Sequence, residues 1–552
     1  MECAAPGGKG RHSRWKPCTA KFNCYHNHQR RNAFQRNFTH FTQAGAVQSK
    51  LKEWVSIQNN QFPTLFEQLK SNAEHGALPM HMPGHKRNAE GIEFLEKLGA
   101  KYDITEIEGF DYLHEPHGII LEAMQSAARL WQSENAFFLV NGSTCGVLAA
   151  VSACAKLCGN GKLIMARNCH KSVYNAAELN ELTPIYLVPP PVEGFGFCGS
   201  ILPKDVEIAV QDNPGTPVIL TSPTYEGVLS NLAEISVICH MYGSPLIVDE
   251  AHGSHLNLSP YFSGGAVRAG ADIVIQSLHK TLTGLTQTGL LHLGGNLITS
   301  ESIARELSVF ETSSPSYILM ASIDGTRKLL EERGAELFKA WNRRLERFDQ
   351  MVSPLQSLKI PGHSELFECQ KIDGLAGYVR RGIGGHTVYG YDRSKIIISC
   401  EGTDTTGTSL IKELRVRFGI ECEMAACGYV VAMTGILDSD VSVKSLAKAL
   451  IEIDKEIHGT APRLPFTAAK IPKRRLSVSQ ALRSESGPIS IKDSRGKISA
   501  EYVWAYPPGI PLIVPGEELS EETVRSLIIQ REAGVSLRSS FGGMPKTLRV
   551  LL

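Results

Sequence analysis

From about residue 135 to 295 the chain alternates short, unbroken apolar runs with segments whose apolar positions recur every three or four residues. AFFLV (136–140), LIMAR (163–167), PIYLV (184–188), PVILTSP (217–223), PLIVDEAH (245–252), DIVIQS (272–277) and GLLHL (289–293) are predicted strands. GSTCGVLAAVSACAKL (142–157), HKSVYNAAEL (170–179) and AEISVICHMYG (233–243) are predicted helices. Continuous Val, Ile and Leu without polar alternation is the pattern of strands covered on both faces. Strands alternating with helices predict a mainly parallel α/β sheet. In such sheets ligands gather at loops beyond the carboxyl ends of the strands.

Further along, the pattern changes. SIARELSVFE (302–311) and the Arg- and Glu-rich segment 321–350 are predicted amphipathic helices. IIISCEG (396–402) and YVVAMTG (429–435) are predicted strands of a smaller α+β unit. The Lys- and Ser-rich stretch 467–495 reads as a linker, followed by a last block, 496–552, that carries YPPGIPLIVPGE (506–517). Residues 1–50 show neither period and hold nine Lys and Arg against one acidic residue, Glu2. They are expected to be a disordered or non-native extension, with a targeting peptide as the alternative.

Composition adds exclusions. The 21 uncharged residues between Glu134 and Lys156 match the length of a membrane span. The polar centre of that run, Asn141-Gly142-Ser143-Thr144, instead marks a strand, a turn and a buried helix. A net charge of +1 gives no basic footprint for nucleic acid, so a charged substrate must be recognised by a local site. Thirteen cysteines without repeated CxxC spacing predict free thiols and a cytoplasmic location. Cys18, Cys24, His26 and His28 fit no zinc spacing, and no metal is expected.

Four candidate groups each follow a predicted strand. Ser277-Leu278-His279-Lys280-Thr281 follows DIVIQS. A lysine at a partly desolvated strand end has a depressed pKa and a nucleophilic amine; the alternative is a side chain reaching out to solvent. Asp249-Glu250-Ala251-His252 ends PLIV. An Asp there holds a protonated ring nitrogen, or caps a turn. The helicase reading of DEAH requires a GxxxxGK[ST] loop, which the sequence lacks. Asn141-Gly142-Ser143-Thr144 opens a helix, where backbone N–H groups and hydroxyls form an anion site or a simple cap. His170 follows LIMAR and either stacks on a flat ring or bonds to backbone. In a parallel sheet all four groups meet on one edge.

This order resembles the fold-type-I pyridoxal-phosphate enzymes. PMHMPGHKRN (79–88), DITEIEGFDYLHEPHG (103–118), FFLVNGST (137–144), RNCHKS (167–172), TSPTYEG (221–227), VDEAHGSH (248–255), SLHKTL (277–282) and YPPGIPLIVPGE sharpen the resemblance to the Orn/Lys/Arg decarboxylase family, in a short form without a wing domain. The resemblance spans about residues 60–530. It implies an α/β fold with a PLP-binding large domain (51–320, including an N-terminal segment), a small α+β domain (321–466) and a linker with a C-terminal domain (467–552). It also implies pyridoxal 5′-phosphate as cofactor, decarboxylation of lysine, arginine or ornithine, and a homodimer or higher homo-oligomer. Lys280 is then the Schiff-base lysine, Asp249 the partner of the ring nitrogen and His170 the stacking residue. Ser143, Thr144, Ser277 and His279 bind phosphate, and His252 lies near the ring hydroxyl. Lys280 or His170 returns a proton to the α-carbon. A distal cation needs an acid; Asp103, Glu106, Glu108, Asp111 and Glu517 are the candidates. The competing readings are an aminotransferase or lyase of the same fold, and a regulator that has lost activity.

Overall fold

The computed structural model describes residues 63–552 apart from 76–77, 89, 193, 362–366, 372–377, 383–387, 461–470 and 508. The extension 1–50 and the Cys18, Cys24, His26 and His28 group lie outside the described residues.

The predicted strands form one seven-stranded sheet: β1 (Asn135–Leu139), β2 (Lys162–Ala166), β3 (Thr183–Leu187), β4 (Val218–Thr221), β5 (Leu246–Asp249), β6 (Ile273–Ser277) and β7 (Gly289–Leu293). Their spatial order is β1-β7-β6-β5-β4-β2-β3. The neighbours from β6 to β3 run parallel, whereas β7 is antiparallel to both β6 and β1. β1 therefore points the same way as the five parallel strands. The carboxyl ends of β1, β2, β5 and β6 share one edge, which is where the four candidate groups begin.

Both faces are covered, which explains the unbroken apolar runs: Leu163, Ile164, Met165, Ile219, Ile247 and Ile275 are all fully buried. The helix Gly142–Cys158 lies across the sheet at close range. A Cβ at Gly146 would stand 2.7 Å from Leu139 Cδ1 and 3.1 Å from Ile275 Cγ2, so only glycine lets this helix seat against β1 and β6. The run 135–155 is thus a strand, a turn and a helix. No helix among the described residues is long and apolar enough to cross a membrane.

A 36-residue helix, Tyr317–Val352, about 54 Å long at helical rise, leads away from the sheet. Tyr317, Phe338, Trp341, Leu345 and Phe348 form its buried stripe. Beyond it, the strands Lys395–Ser399, Tyr429–Met433 and Met424–Ala425 form a small antiparallel sheet packed with the helices Gly407–Phe418 and Asp440–Glu456. A two-residue pairing of Gly390 and Tyr391 with Leu229 and Val228 ties this unit to the segment that follows β4.

The stretch expected to be a linker is instead structured where described. Ser477 caps the helix Val478–Arg483 with a capping box, and Ser486–Ser490 pairs with Thr547–Leu551. Of the serines that suggested a linker, Ser477 serves as a helix cap and Ser490 is exposed on a strand. The remaining C-terminal elements are the sheet of Val503–Ala505, Ile510–Ile513 and Leu537–Ser539 and the helix Glu521–Glu532.

Candidate active site

Lys280 lies one turn past β6, in the short helix Leu278–Thr281, whose start is held by the bond from Leu278 N–H to Thr288 O (3.1 Å). Its Nζ is 2.9 Å from His252 Nε2. Burial lowers the Lys280 pKa below the ordinary lysine value; Asp249 opposes this and Lys395 adds to it. The amine is therefore more readily neutral, and nucleophilic, than a surface lysine.

Asp249 ends β5 and is buried; Ala251 N–H donates to its Oδ1 at 3.2 Å. Burial raises its pKa despite the nearby Lys280, as expected of an anion short of cationic partners. His252 is buried three residues on. Burial, then Lys280 and Lys395, hold it well below the usual histidine pKa, so it is neutral. Its Nδ1 is buried without a hydrogen-bond partner among the described residues. Tyr225 packs on the imidazole with ring centroids 4.4 Å apart, and the Tyr225 hydroxyl donates to Glu423.

Across the edge, Ser143 Oγ and Ser277 Oγ are 2.5 Å apart, although 134 positions separate them in sequence. Ser143 sits in the first turn of the helix Gly142–Cys158, where free N–H groups and the helix dipole attract an anion. Thr144 is next to it and exposed. His279 Nδ1 donates to Thr288 O (2.9 Å), which leaves Nε2 as the free ring nitrogen. His170 caps the helix Lys171–Leu179, its Nδ1 accepting from Ser172 N–H at 3.2 Å. Burial, then Lys280 and Lys171, push its pKa down to about 4.

Pyridoxal phosphate fits these residues. The orphaned His252 Nδ1, the Asp249 carboxylate whose pKa burial raises despite Lys280, the facing hydroxyls of Ser143 and Ser277 and the neutral-leaning Lys280 match its phenolic oxygen, ring nitrogen, phosphate and aldehyde respectively.

Comparison with known proteins decides the family. The family described as Orn/Lys/Arg decarboxylase, major domain, matches residues 63–409, and the Orn/Lys/Arg decarboxylase C-terminal domain matches 467–534. This chain belongs to the Orn/Lys/Arg decarboxylase family. It is 31% identical over 497 residues to an arginine decarboxylase of Halalkalibacterium halodurans, covering 88% of this chain and 97% of the relative. It is 30% identical to an arginine decarboxylase of Bacillus subtilis, again covering 88% and 97%. The lysine decarboxylase of Francisella novicida shares the fold, with a TM-score of 0.72 at 17% identity over 92% of this chain and 83% of that one. As a member of this family the chain is a pyridoxal-phosphate-dependent decarboxylase of a basic amino acid.

The decarboxylase differs from the sequence expectation in its acids. Glu517 is buried against the chain's own Arg167, with Oε2 3.4 Å from Nη2, and so already has a cation. Asp103 pairs with His85 Nε2 at 3.1 Å. Asp111 accepts backbone N–H groups of Tyr112, His117, Gly118 and Ile120, which fixes the entry to the helix Ile119–Trp131. Glu106 and Glu108 are exposed, Glu106 near Tyr317.

A second acid, Glu423, bonded to Tyr225, raises the Lys280 pKa less than Asp249 does. Sequence reading missed it, because it stands in the small domain outside every motif. A second missed group lies behind His252. Lys395 is completely buried, its Nζ donating to His252 O (2.8 Å), Asp392 Oδ2 (2.8 Å) and Ser394 Oγ (2.7 Å). Asp392 Oδ1 is 3.0 Å from His255 Nε2, and His255 Nδ1 is 3.0 Å from Thr281 Oγ1. Although burial opposes it, Lys395 and His255 hold the Asp392 carboxylate well below its ordinary pKa.

Proposed function

We propose that the substrate is arginine, that Lys280 is the cofactor lysine, and that Glu423 with Tyr225 receives the guanidinium. The observation that carries the choice of arginine is the identity of about 30% to two arginine decarboxylases across nearly their whole length. Glu423 supports it chemically. A carboxylate held by Tyr225, whose ring packs on the His252 that bonds Lys280, suits a planar cation that donates through several N–H groups.

In this reading Lys280, a partly desolvated amine, would hold the cofactor through its aldehyde and give up that place to the substrate amine. Ser143, Ser277 and the N-terminal amides of the helix Gly142–Cys158 take the phosphate, joined by Thr144 and by His279 once its Nε2 carries a proton. Asp249 balances the charge of a protonated ring nitrogen, and His170 covers one face of the ring. When bound, pyridoxal phosphate supplies the electron sink for the pair released as carbon dioxide departs. His252 Nδ1 would donate to the ring hydroxyl oxygen, while its Nε2 holds the Lys280 amine. Lys280 Nζ then returns a proton to the α-carbon, the hydrogen bond to His252 keeping it aimed. The buried walls exclude water, which favours loss of a charged carboxylate.

The test offers arginine, lysine and ornithine to the cofactor-loaded protein and identifies the product amine by mass. Agmatine is expected as the main product; cadaverine or putrescine in its place overturns the assignment. A homodimer is part of the proposal, supported by the exposed Leu78, Met80, Met82, Phe94 and Leu98 in one stretch of chain. A monomeric mass by light scattering removes that part. A cytoplasmic location is supported by nine free thiols, among them Cys145, Cys169 and Cys400.

A further inference from the structure

The turn that carries His170 is gripped from both ends by one segment of the C-terminal domain. At the strand end, Arg167 Nη1 donates to Pro511 O at 2.6 Å and Nη2 to Leu512 O at 3.3 Å, and the guanidinium pairs with Glu517. At the helix end, Lys171 N–H donates to Gly509 O at 2.9 Å, and the Lys171 ammonium lies 5.2 Å from the Trp504 ring centroid and 5.9 Å from that of Tyr506. Between the two grips stands the His170 ring. A Cβ at Gly509 would meet its Cδ2 and Nε2, each at 3.2 Å. Gly509 is buried and has φ +93, so its backbone faces the imidazole directly, with no side chain between.

We propose that the C-terminal domain is a positioning part of the active site, with the backbone at Gly509 setting the plane of the His170 ring. The inference rests on the reading that His170 covers the cofactor. His170 Nδ1 is tied to Ser172, which fixes one side of the ring. The Gly509 backbone is a stop on the opposite nitrogen. Sequence separation of about 340 residues between the two makes the C-terminal domain's docking a condition for a correctly set ring, not a mere addition to bulk.

Gly509→Ala tests it against Gly496→Ala. Gly496 belongs to the same domain and also has positive φ, +73, but a Cβ there meets nothing within 4 Å. Both variants carry the backbone strain of a non-glycine residue at positive φ, and only one carries the contact with His170. Cofactor affinity, the circular dichroism of the bound cofactor and the melting temperature are measured on each, beside His170→Ala. Gly509→Ala is expected to bind pyridoxal phosphate about tenfold more weakly with an altered cofactor dichroism, and Gly496→Ala to match the unaltered protein. Wild-type affinity and dichroism in a folded Gly509→Ala, with weakened binding in His170→Ala, overturn the proposal alone. Wild-type affinity in His170→Ala overturns the reading of His170 and the proposal with it. Should Gly509→Ala fail to fold, Trp504→Leu loosens the same grip: about threefold weaker cofactor binding supports the inference, and unchanged binding overturns it.

Discussion

Two groups of residues near Lys280, two walls of the site, are built on different principles. The sheet-edge wall consists of Ser143, His170, Asp249, His252 and Ser277, each at or just past the end of a strand of one sheet. The far wall consists of Asp392, Lys395 and Glu423, supplied by the small unit after the long helix. The first wall is placed by backbone: once the parallel strands align, their carboxyl ends converge without further instruction. The second is placed by charge. Lys395 and Asp392 are fully buried and are held by each other, by His255 and by the His252 carbonyl. A buried ion pair of this kind holds its geometry because misplacing either member leaves an uncompensated charge. Backbone placement tolerates local substitution, whereas charge placement fails as a unit.

The largest effect should come from the residue the two walls share. Lys280→Ala is expected to lower amine release at least about 10³-fold and to remove the absorbance of lysine-linked cofactor, with the melting temperature nearly unchanged. Activity within tenfold of the unaltered protein would take Lys280 out of the chemistry. Next in size is the far wall's ion pair. Lys395→Met strands the Asp392 carboxylate in a dry interior and should cost about 3–5 kcal/mol of stability. The double change Lys395→Met with Asp392→Asn should recover most of that loss, because no charge is left unpaired. Equal losses in the single and double variants, read by chemical denaturation, would show that packing and not charge holds this wall.

Glu423→Gln comes third. It keeps the shape and an acceptor for Tyr225 but removes the charge offered to the guanidinium. Losing a charge-assisted bond of about 1.5–3 kcal/mol should raise KM for arginine about 10- to 100-fold with a smaller change in kcat. An unchanged KM would leave the far wall a support for Lys280 with no part in recognition.

The same division explains what the sequence disclosed. Every sheet-edge residue follows an apolar run, so a strand end and a chemically apt side chain appear together within six residues, as in DIVIQS then Lys280. The far wall leaves no such trace. Lys395 opens the strand Lys395–Ser399, where a lysine ordinarily reaches solvent; only its contacts with His252 and Asp392 reveal it as buried. Glu423 precedes a two-residue strand in a segment without periodicity. Glu517 was read as a substrate acid because it stands in a distinctive motif, yet its partner Arg167 is 350 positions away and cannot be inferred from spacing. Gly509 stood in the same motif, where sequence shows a turn and not what the turn presses against.

The smallest effect asks whether His170 belongs with the dry sheet-edge wall. Burial, then Lys280 and Lys171, place its pKa at about 4 in the folded protein, against about 6.5 in the unfolded chain. A histidine depressed on folding contributes stability that is complete above the unfolded value. That contribution drains as pH falls through the interval and is gone below about 4, because the unfolded chain takes up the proton first. Between pH 7 and 5 the cofactor-free protein should therefore lose about 2 kcal/mol more than His170→Asn, which has nothing to titrate. Denaturation midpoints at the two pH values measure the difference. Parallel losses in both proteins would mean that His170 is hydrated and free to ionise, a poor cover for a flat ring, and would move it from the sheet-edge wall to the solvent side of the site.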